Sequence, residues 1–495
     1  MKPIVLIHGY SSESPTSDPT SIGNIYGDLP QRLRAAYDVV EVDLSRYVSL
    51  NDSVSIADIA RAFHRALLEQ HPALLNDGFH VVIHSTGALV IRTWLRLFSP
   101  QPSPVRNLVY LAGANFGSGW ASIGQGQVAR WGRFVFERGA QRGLKVLQAL
   151  ELGSSVALDL HLFFTRDGNR MSEDYKVQEF VIIGTQADPD WFEFPVRYAH
   201  EDGSDGVVRV AAGNLNFNYL TIEPNEKAAF LPWPAIDAAV QAASVKGNFP
   251  AYYTVTTRSI AGSGSRQPIP LGLAFRCAHS GNKMGIVAGE APRDQVERML
   301  KLALETPERT AAAWQRAEVA FERETELTYE DARTMRNPGL LNFLTEPRNQ
   351  YDPHAQIIFR LRDQDGNPIP IASTDIFFVS EQATKGTIPI QSLIENTVVS
   401  GAAPNVIVFY LRLQKFDRRA KDWIDQLKSV GDFSLEITAI EPAAPNHNPL
   451  ISYLPLRIPL TSKQLATLIQ PHRTTIIDVT LLRLPSPEVY QLIKS

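Results

Sequence analysis

The chain has 495 residues, 44% of them hydrophobic and 20% charged, with a formal net charge of −4. That length exceeds what one hydrophobic core supports, so two or three domains are expected, and the nearly balanced charge gives no electrostatic case for nucleic acid or an anionic membrane as main partner. The single cysteine, Cys277, excludes an internal disulfide framework.

Met1-Lys2-Pro3 runs straight into the apolar Ile4-Val5-Leu6-Ile7, which lacks the length and cleavage site of a signal peptide. No run of about eighteen apolar residues follows anywhere, so no transmembrane helix is predicted and the expected compartment is the cytoplasm. Residues 4–7 read as a buried strand ending in His8-Gly9-Tyr10. Gly9 permits a sharp turn that leaves the Tyr10 N–H pointing into a site; an ordinary strand–loop junction reads the same way. A helix near 22–37, a strand over 38–44 and a helix over 56–68 come next. In the last, Ile56, Ile59, Phe63 and Leu67 share one face, and Ser55 with Asp58 forms a capping box.

The most informative stretch is Phe79-His80-Val81-Val82-Ile83-His84-Ser85-Thr86-Gly87-Ala88-Leu89-Val90. It opens as a strand buried on both faces and closes as a helix over 88–98, with no polar loop between them. A serine on so sharp a strand-to-helix turn presents Oγ clear of the sheet, beside the free N–H groups of the new helix. A Cβ at Gly87 would crowd that helix against the strand. The blander reading makes Ser85 a helix cap. His64, His71 and His80 read as scaffold or surface residues.

The β-α-β-α-β alternation predicts a mostly parallel sheet with helices on both faces. Residues 105–112 continue it as a strand. Residues 120–165 interrupt it with amphipathic helical sequence, carrying Val128, Trp131, Val135, Leu144, Leu147 and Leu150. This stretch is either a cap over the site or a core-facing helix pair; both give an apolar roof.

A strand over 177–184 precedes Asp188, and Ser204-Asp205-Gly206-Val207-Val208 follows. A carboxylate on a glycine turn can reach one imidazole nitrogen without wandering, which favours Asp205, with Asp188 second and Asp202 third. Residues 220–250 read as loop and helix without a chemical signal, and 252–256 is a further strand candidate. The apolar 271–275 then leads into Arg276-Cys277-Ala278-His279, a histidine on the loop after the last strand. Cys277 is too isolated for a nucleophile and reads as a small buried residue. Helices near 293–304 and 307–324 close the first domain, and Asn337-Pro338-Gly339 marks a linker.

From His354 the pattern turns to alternation. Strands are expected over 356–362, 375–379, 406–413, 433–439, 452–458 and 477–481, with one helix over 417–429, making an antiparallel β-sandwich. The expected domains are 1–325 with a cap insertion about 118–170, a linker over 326–352, and the accessory sandwich over 353–495.

Residues 1–325 resemble the α/β-hydrolase superfamily, in the motif style of bacterial lipases and carboxylesterases. The resemblance rests on His8-Gly9-Tyr10, His84-Ser85-Thr86-Gly87, Ser204-Asp205-Gly206-Val207-Val208 and His279. It departs at Ile83, where the Gly-x-Ser-x-Gly pattern has its first glycine. It implies an α/β-hydrolase fold and a Ser85–His279–Asp205 triad in the chain order Ser, Asp, His, with the N–H groups of Tyr10 and Thr86 as oxyanion hole. It also implies hydrolysis of an ester with an apolar acyl group, without cofactor or metal. A phospholipase or acyltransferase touching lipid through the cap, and a non-catalytic binding protein, are the alternatives.

Overall fold

Six apolar runs become neighbours in one sheet in the computed structural model, which describes residues 2–7, 26–42, 52–119, 143–187, 201–229, 252–260, 267–307, 310–335, 347–380, 386–441, 450–485 and 489. In chain order the strands are β1 (Ile4–Ile7), β2 (Val39–Val42), β3 (Phe79–His84), β4 (Val105–Leu111), β5 (Gln178–Gly184), β6 (Asn218–Pro224), β7 (Tyr253–Ser259) and β8 (Leu271–Ala274). The sheet order is β2-β1-β3-β4-β5-β8, with every pairing parallel. β3 lies between β1 and β4 and is buried along its whole length, its two histidines His80 and His84 included.

The helices form where the periodicity places them. Ile56–Gln70 starts at the Ser55/Asp58 capping box and buries Ile56, Ile59, Phe63 and Leu67. Gly87–Leu97 buries Leu89, Val90, Ile91, Trp94 and Leu95, which fixes it against its neighbours. Its Arg92 is also buried, over the Phe164 ring at 4.7 Å and paired with Glu179 of β5. Tyr110 of β4 donates to that carboxylate at 2.7 Å, so the buried charge is shared among three hydrogen-bonded groups.

Of the expected cap, residues 120–142, including Val128, Trp131 and Val135, lie outside the described residues. The helices Leu144–Leu150 and Ser155–Phe163 are described. They bury Val146, Leu147 and Leu150, and Leu158, Leu160 and Leu162, while at the surface the Phe163 ring lies under the guanidinium of Arg96 at 4.8 Å.

The chain divides into two compact units. One contains Met1–Asn216, Gln267–Pro353 and Phe416–Trp423; the other contains Phe217–Arg266, His354–Lys415 and Ile424–Ser495. The uninterrupted 1–325 domain expected from sequence therefore differs from the structure. β6 pairs in parallel with a strand near the C-terminus, and that long-range pairing leaves no local trace. The expected 326–352 linker also differs, because helix Ala311–Thr334 runs through its first part and Pro347–Tyr351 forms a 3-10 turn. Residues 336–346 lie outside the described residues.

The chain continues with β9 (His354–Asp363), β10 (Thr374–Ser380), β11 (Ile394–Val399), β12 (Val406–Arg412), β13 (Gln414–Asp417), β14 (Asp422–Asp425), β15 (Phe433–Ala439), β16 (Ile451–Tyr453), β17 (Leu456–Leu460), β18 (Thr474–Leu481) and β19 (Arg483–Pro485), all in the second unit except the Phe416–Trp423 part of β13 and β14. One sheet has the order β11-β12-β9-β18-β6-β7 and the other β10-β15-β17. Phe359 and Phe409 from the first meet Phe378 from the second at 6.4 and 5.5 Å, inside one apolar core. This is the expected sandwich, with a refinement: β18 runs parallel to both β9 and β6. The helix expected over 417–429 is instead the β13–β14 hairpin and a 3-10 turn at Leu427–Ser429.

Candidate active site

Ser85 occupies the turn between β3 and helix Gly87–Leu97 with φ +54°, a left-handed conformation costly for a residue with a Cβ. Its N–H donates to Leu111 O at 3.3 Å, and its carbonyl accepts from Ala114 N at 3.2 Å. The end of β4 thus clamps the turn on both sides. A Cβ on Gly87 would lie 3.2 Å from Ile83 Cβ and 3.4 Å from Ile7 O. The departure from the glycine pattern is accommodated here: Ile83 fills the strand end, and Gly87 alone makes room for the helix. Among the described residues the Thr86 N–H, at the start of that helix, has no acceptor. His8, Gly9 and Tyr10 lie outside the described residues.

Asp205 is buried on the tight turn before helix Val210–Gly213. Its Oδ1 accepts from Val207 N at 2.9 Å and Val208 N at 2.7 Å, while Gly206 turns the chain at φ +94°. Those bonds leave Oδ2 aimed at His279 Nδ1, 2.9 Å away. The turn is braced from outside by Arg209, which is fully buried and donates to Glu201 from Nε and Nη2, each at 2.6 Å. Asp188 lies outside the described residues. The carboxylate on His279 is that of Asp205, not Asp202.

His279 follows β8 on a loop that crosses the end of β5. Its Nε2 lies 3.0 Å from Ser85 Oγ, so Ser85, His279 and Asp205 form one continuous chain of hydrogen bonds. Its main chain is held as well, the N–H donating to Asp205 O at 2.9 Å and the carbonyl accepting from His84 Nε2 at 3.0 Å. Segment Pro347–Tyr351 braces both loops: Gln350 O accepts from Gly203 N at 2.9 Å, and Tyr351 OH accepts from Arg276 N at 2.9 Å.

Burial, and after it the neighbouring His279, holds the His84 imidazole neutral down to about pH 3. Burial, then the Asp205 charge, pushes the Cys277 thiol well above its ordinary range, which leaves it a protonated thiol. Among the described residues no group of three His, Cys, Asp or Glu side chains could hold a metal ion, and no helix is long and apolar enough to cross a membrane.

Sequence reasoning singled out Ser85, Asp205 and His279, which the fold brings together, and missed His84, Gln350 and Tyr351. His84 had a signal, adjacency to the serine, but its partner carbonyl is 195 residues away.

No protein-family model matches the chain, and no curated protein does. Solved structures do. Phospholipase PlaB from Legionella pneumophila is 22% identical with a TM-score of 0.74, the match covering 100% of this chain and 97% of that one. The same phospholipase in complex with thio-NAD gives 20% identity, a TM-score of 0.74 and the same coverage. The parallel sheet, the strained serine turn after β3 and this likeness agree: the chain has the α/β-hydrolase fold, together with a C-terminal β-sandwich unit.

Proposed function

We propose that the protein is a serine carboxylic-ester hydrolase, with Ser85 as nucleophile, His279 as general base and Asp205 as the acid that orients it. The observation that carries this reading is the unbroken hydrogen-bonded chain, 3.0 Å from Ser85 Oγ to His279 Nε2 and 2.9 Å from His279 Nδ1 to Asp205. Serine is a weak nucleophile at its free pKa, and an imidazole in this position removes its proton as Oγ bonds to the ester carbonyl carbon. The carbonyl π pair moves onto oxygen, facing the Thr86 N–H and, in this reading, the Tyr10 N–H. Collapse expels the alcohol, protonated by His279, and leaves an acyl-Ser85. Water, deprotonated by the same imidazole, then releases the acid and frees Ser85. Asp205, saturated by two backbone N–H groups, keeps Nδ1 protonated and stabilises the imidazolium.

A second reading, phospholipid as the ester, is favoured by one observation: the likeness to a phospholipase spans the whole chain, β-sandwich included. The test has two parts. A fluorophosphonate probe should label the wild type and not Ser85→Ala; an unlabelled wild type would point instead to a non-catalytic hydrolase-fold binding protein. Turnover of p-nitrophenyl esters of increasing chain length, beside phosphatidylcholine vesicles and triacylglycerol emulsions, then separates esterase, phospholipase and lipase.

A further inference from the structure

We propose that His84 is a positioning residue for the His279 base, holding the imidazole in line between Asp205 and Ser85 through a hydrogen bond to its main chain and contact with its ring. This rests on the triad reading above, and the experiment below separates the two.

A main-chain carbonyl only accepts, so the 3.0 Å contact from His84 Nε2 to His279 O fixes the proton on Nε2. The two rings lie 4.7 Å apart, tilted by 39°. His279 is therefore held at three points of its own residue: its N–H by Asp205 O, its carbonyl by His84, and its Nδ1 by Asp205 Oδ2. Two of these come from the acid, and the third comes from the residue beside the nucleophile. His84 thus ties the base to the same turn that carries Ser85, so the spacing between them is set by one rigid strand end rather than by two separate loops. His84 is itself anchored. Tyr26 packs edge-on to its ring at 6.4 Å, and the Tyr26 hydroxyl donates to Ile7 O at 2.7 Å, at the end of neighbouring β1.

The ring must also stay uncharged. When His279 takes the serine proton, a cationic ring 4.7 Å away would oppose the new charge. Deep burial keeps His84 neutral across the working pH range, so its N–H is available without electrostatic cost to the transition state.

The test compares His84→Gln with His84→Met in the full chain. Both replacements are unbranched, of similar length and without a ring; only glutamine keeps an N–H for the His279 carbonyl. Four quantities are read: kcat and KM on a p-nitrophenyl ester, fluorophosphonate labelling rate, and the low-field proton NMR resonance of the His279 Nδ1–H. His84→Met should lose about 100-fold in kcat with KM little changed, the scale on which small misplacements act. His84→Gln should recover about tenfold of that loss. The low-field resonance should broaden or vanish in the methionine variant and return in the glutamine one. Equal kcat in the two variants, or a resonance identical in both and in wild type, overturns the proposal. If wild type neither labels nor hydrolyses esters, the triad reading fails by itself, while the resonance still reports whether His84 holds the imidazole.

Discussion

Gly184, the last residue of β5, lies so close under the Cys277 carbonyl that a Cβ there would sit 1.9 Å from the oxygen. The loop ending in His279 is thus laid directly on the backbone of the sheet. A further bond, from Gln186 N to the same oxygen at 3.3 Å, keeps it there. Backbone cannot yield as a flexible side chain does, so Gly184→Ala must lift the loop. We expect about 100-fold lower kcat if His279 is the proposed base, the scale for a misplaced catalytic group, and about 1–3 kcal/mol lost in urea unfolding, as for an overpacked core. A Gly184→Ala enzyme with wild-type kcat would contradict the idea that this approach sets the position of His279.

Replacing the proposed acid tests the assignment within the turn. Asp205→Asn keeps the shape but presents an amide N–H or a weaker acceptor to His279, and kcat should fall by about 10⁴ with the serine still in place. Ser85→Ala should lose both turnover and probe labelling. Should Asp188→Ala abolish turnover while Asp205→Asn does not, the acid is Asp188.

The Arg209–Glu201 pair makes a stability prediction. Arg209 is 1% exposed and Glu201 is 24% exposed in side-chain terms, so cutting the pair removes two charge-assisted hydrogen bonds from a largely buried site. Arg209→Met should cost about 3 kcal/mol in chemical denaturation, the range for breaking a buried pair from one side. Because Asp205 lies between the two partners in sequence, kcat should fall together with stability. A stable, inactive variant would separate the brace from the fold.

Two histidines, His84 buried and His472 half-buried with its Nδ1 shielded, predict how stability varies with pH. His84 and His472 both have imidazoles held neutral to about pH 3 by burial. In the unfolded chain each takes up a proton below about pH 6.5. Between those values the unfolded state binds more protons, so stability is full above pH 6.5 and falls as pH drops toward 3. The slope approaches about 1.4 kcal/mol per pH unit for each histidine. Urea midpoints from pH 7 to 4.5 should decline, and His84→Met should remove one histidine's share. A flat midpoint across that range would rule out the buried neutral state.

The candidate site was legible because each of its parts is a local device. A serine on a loopless strand-to-helix reversal, a carboxylate before a glycine and a histidine after an apolar run can all be read within a few residues of sequence. The assembly of the second unit was not. From residue 220 the sequence reads as loop and helix, yet Asn218–Pro224 is strand β6, because its partner β18 arrives only near the C-terminus. Residues 417–429 mimic an amphipathic helix, with charges interleaved by Trp423 and Ile424, yet they fold as a hairpin in which Trp423 Nε1 donates to Asp352 at 2.8 Å and the Trp423 ring meets Tyr329 at 5.0 Å. Distant partners settled the conformation, and periodicity carries no record of them. The expected linker differs in its first part because the charged run over 326–334, dense in good helix formers, continues helix Ala311–Thr334; Asn337-Pro338-Gly339 lies outside the described residues.

The place of β18 in the middle of its sheet has a consequence for synthesis. Tyr219 and Asp478, bonded at 2.9 Å across β6 and β18, are separated by 259 residues. At roughly 5–20 residues per second on the ribosome, β6 waits tens of seconds for that neighbour. Throughout the delay it offers an open backbone edge, the kind of surface that recruits stray strands or holding chaperones. Premature termination just upstream of β18 should therefore yield an aggregating product rather than a smaller folded protein.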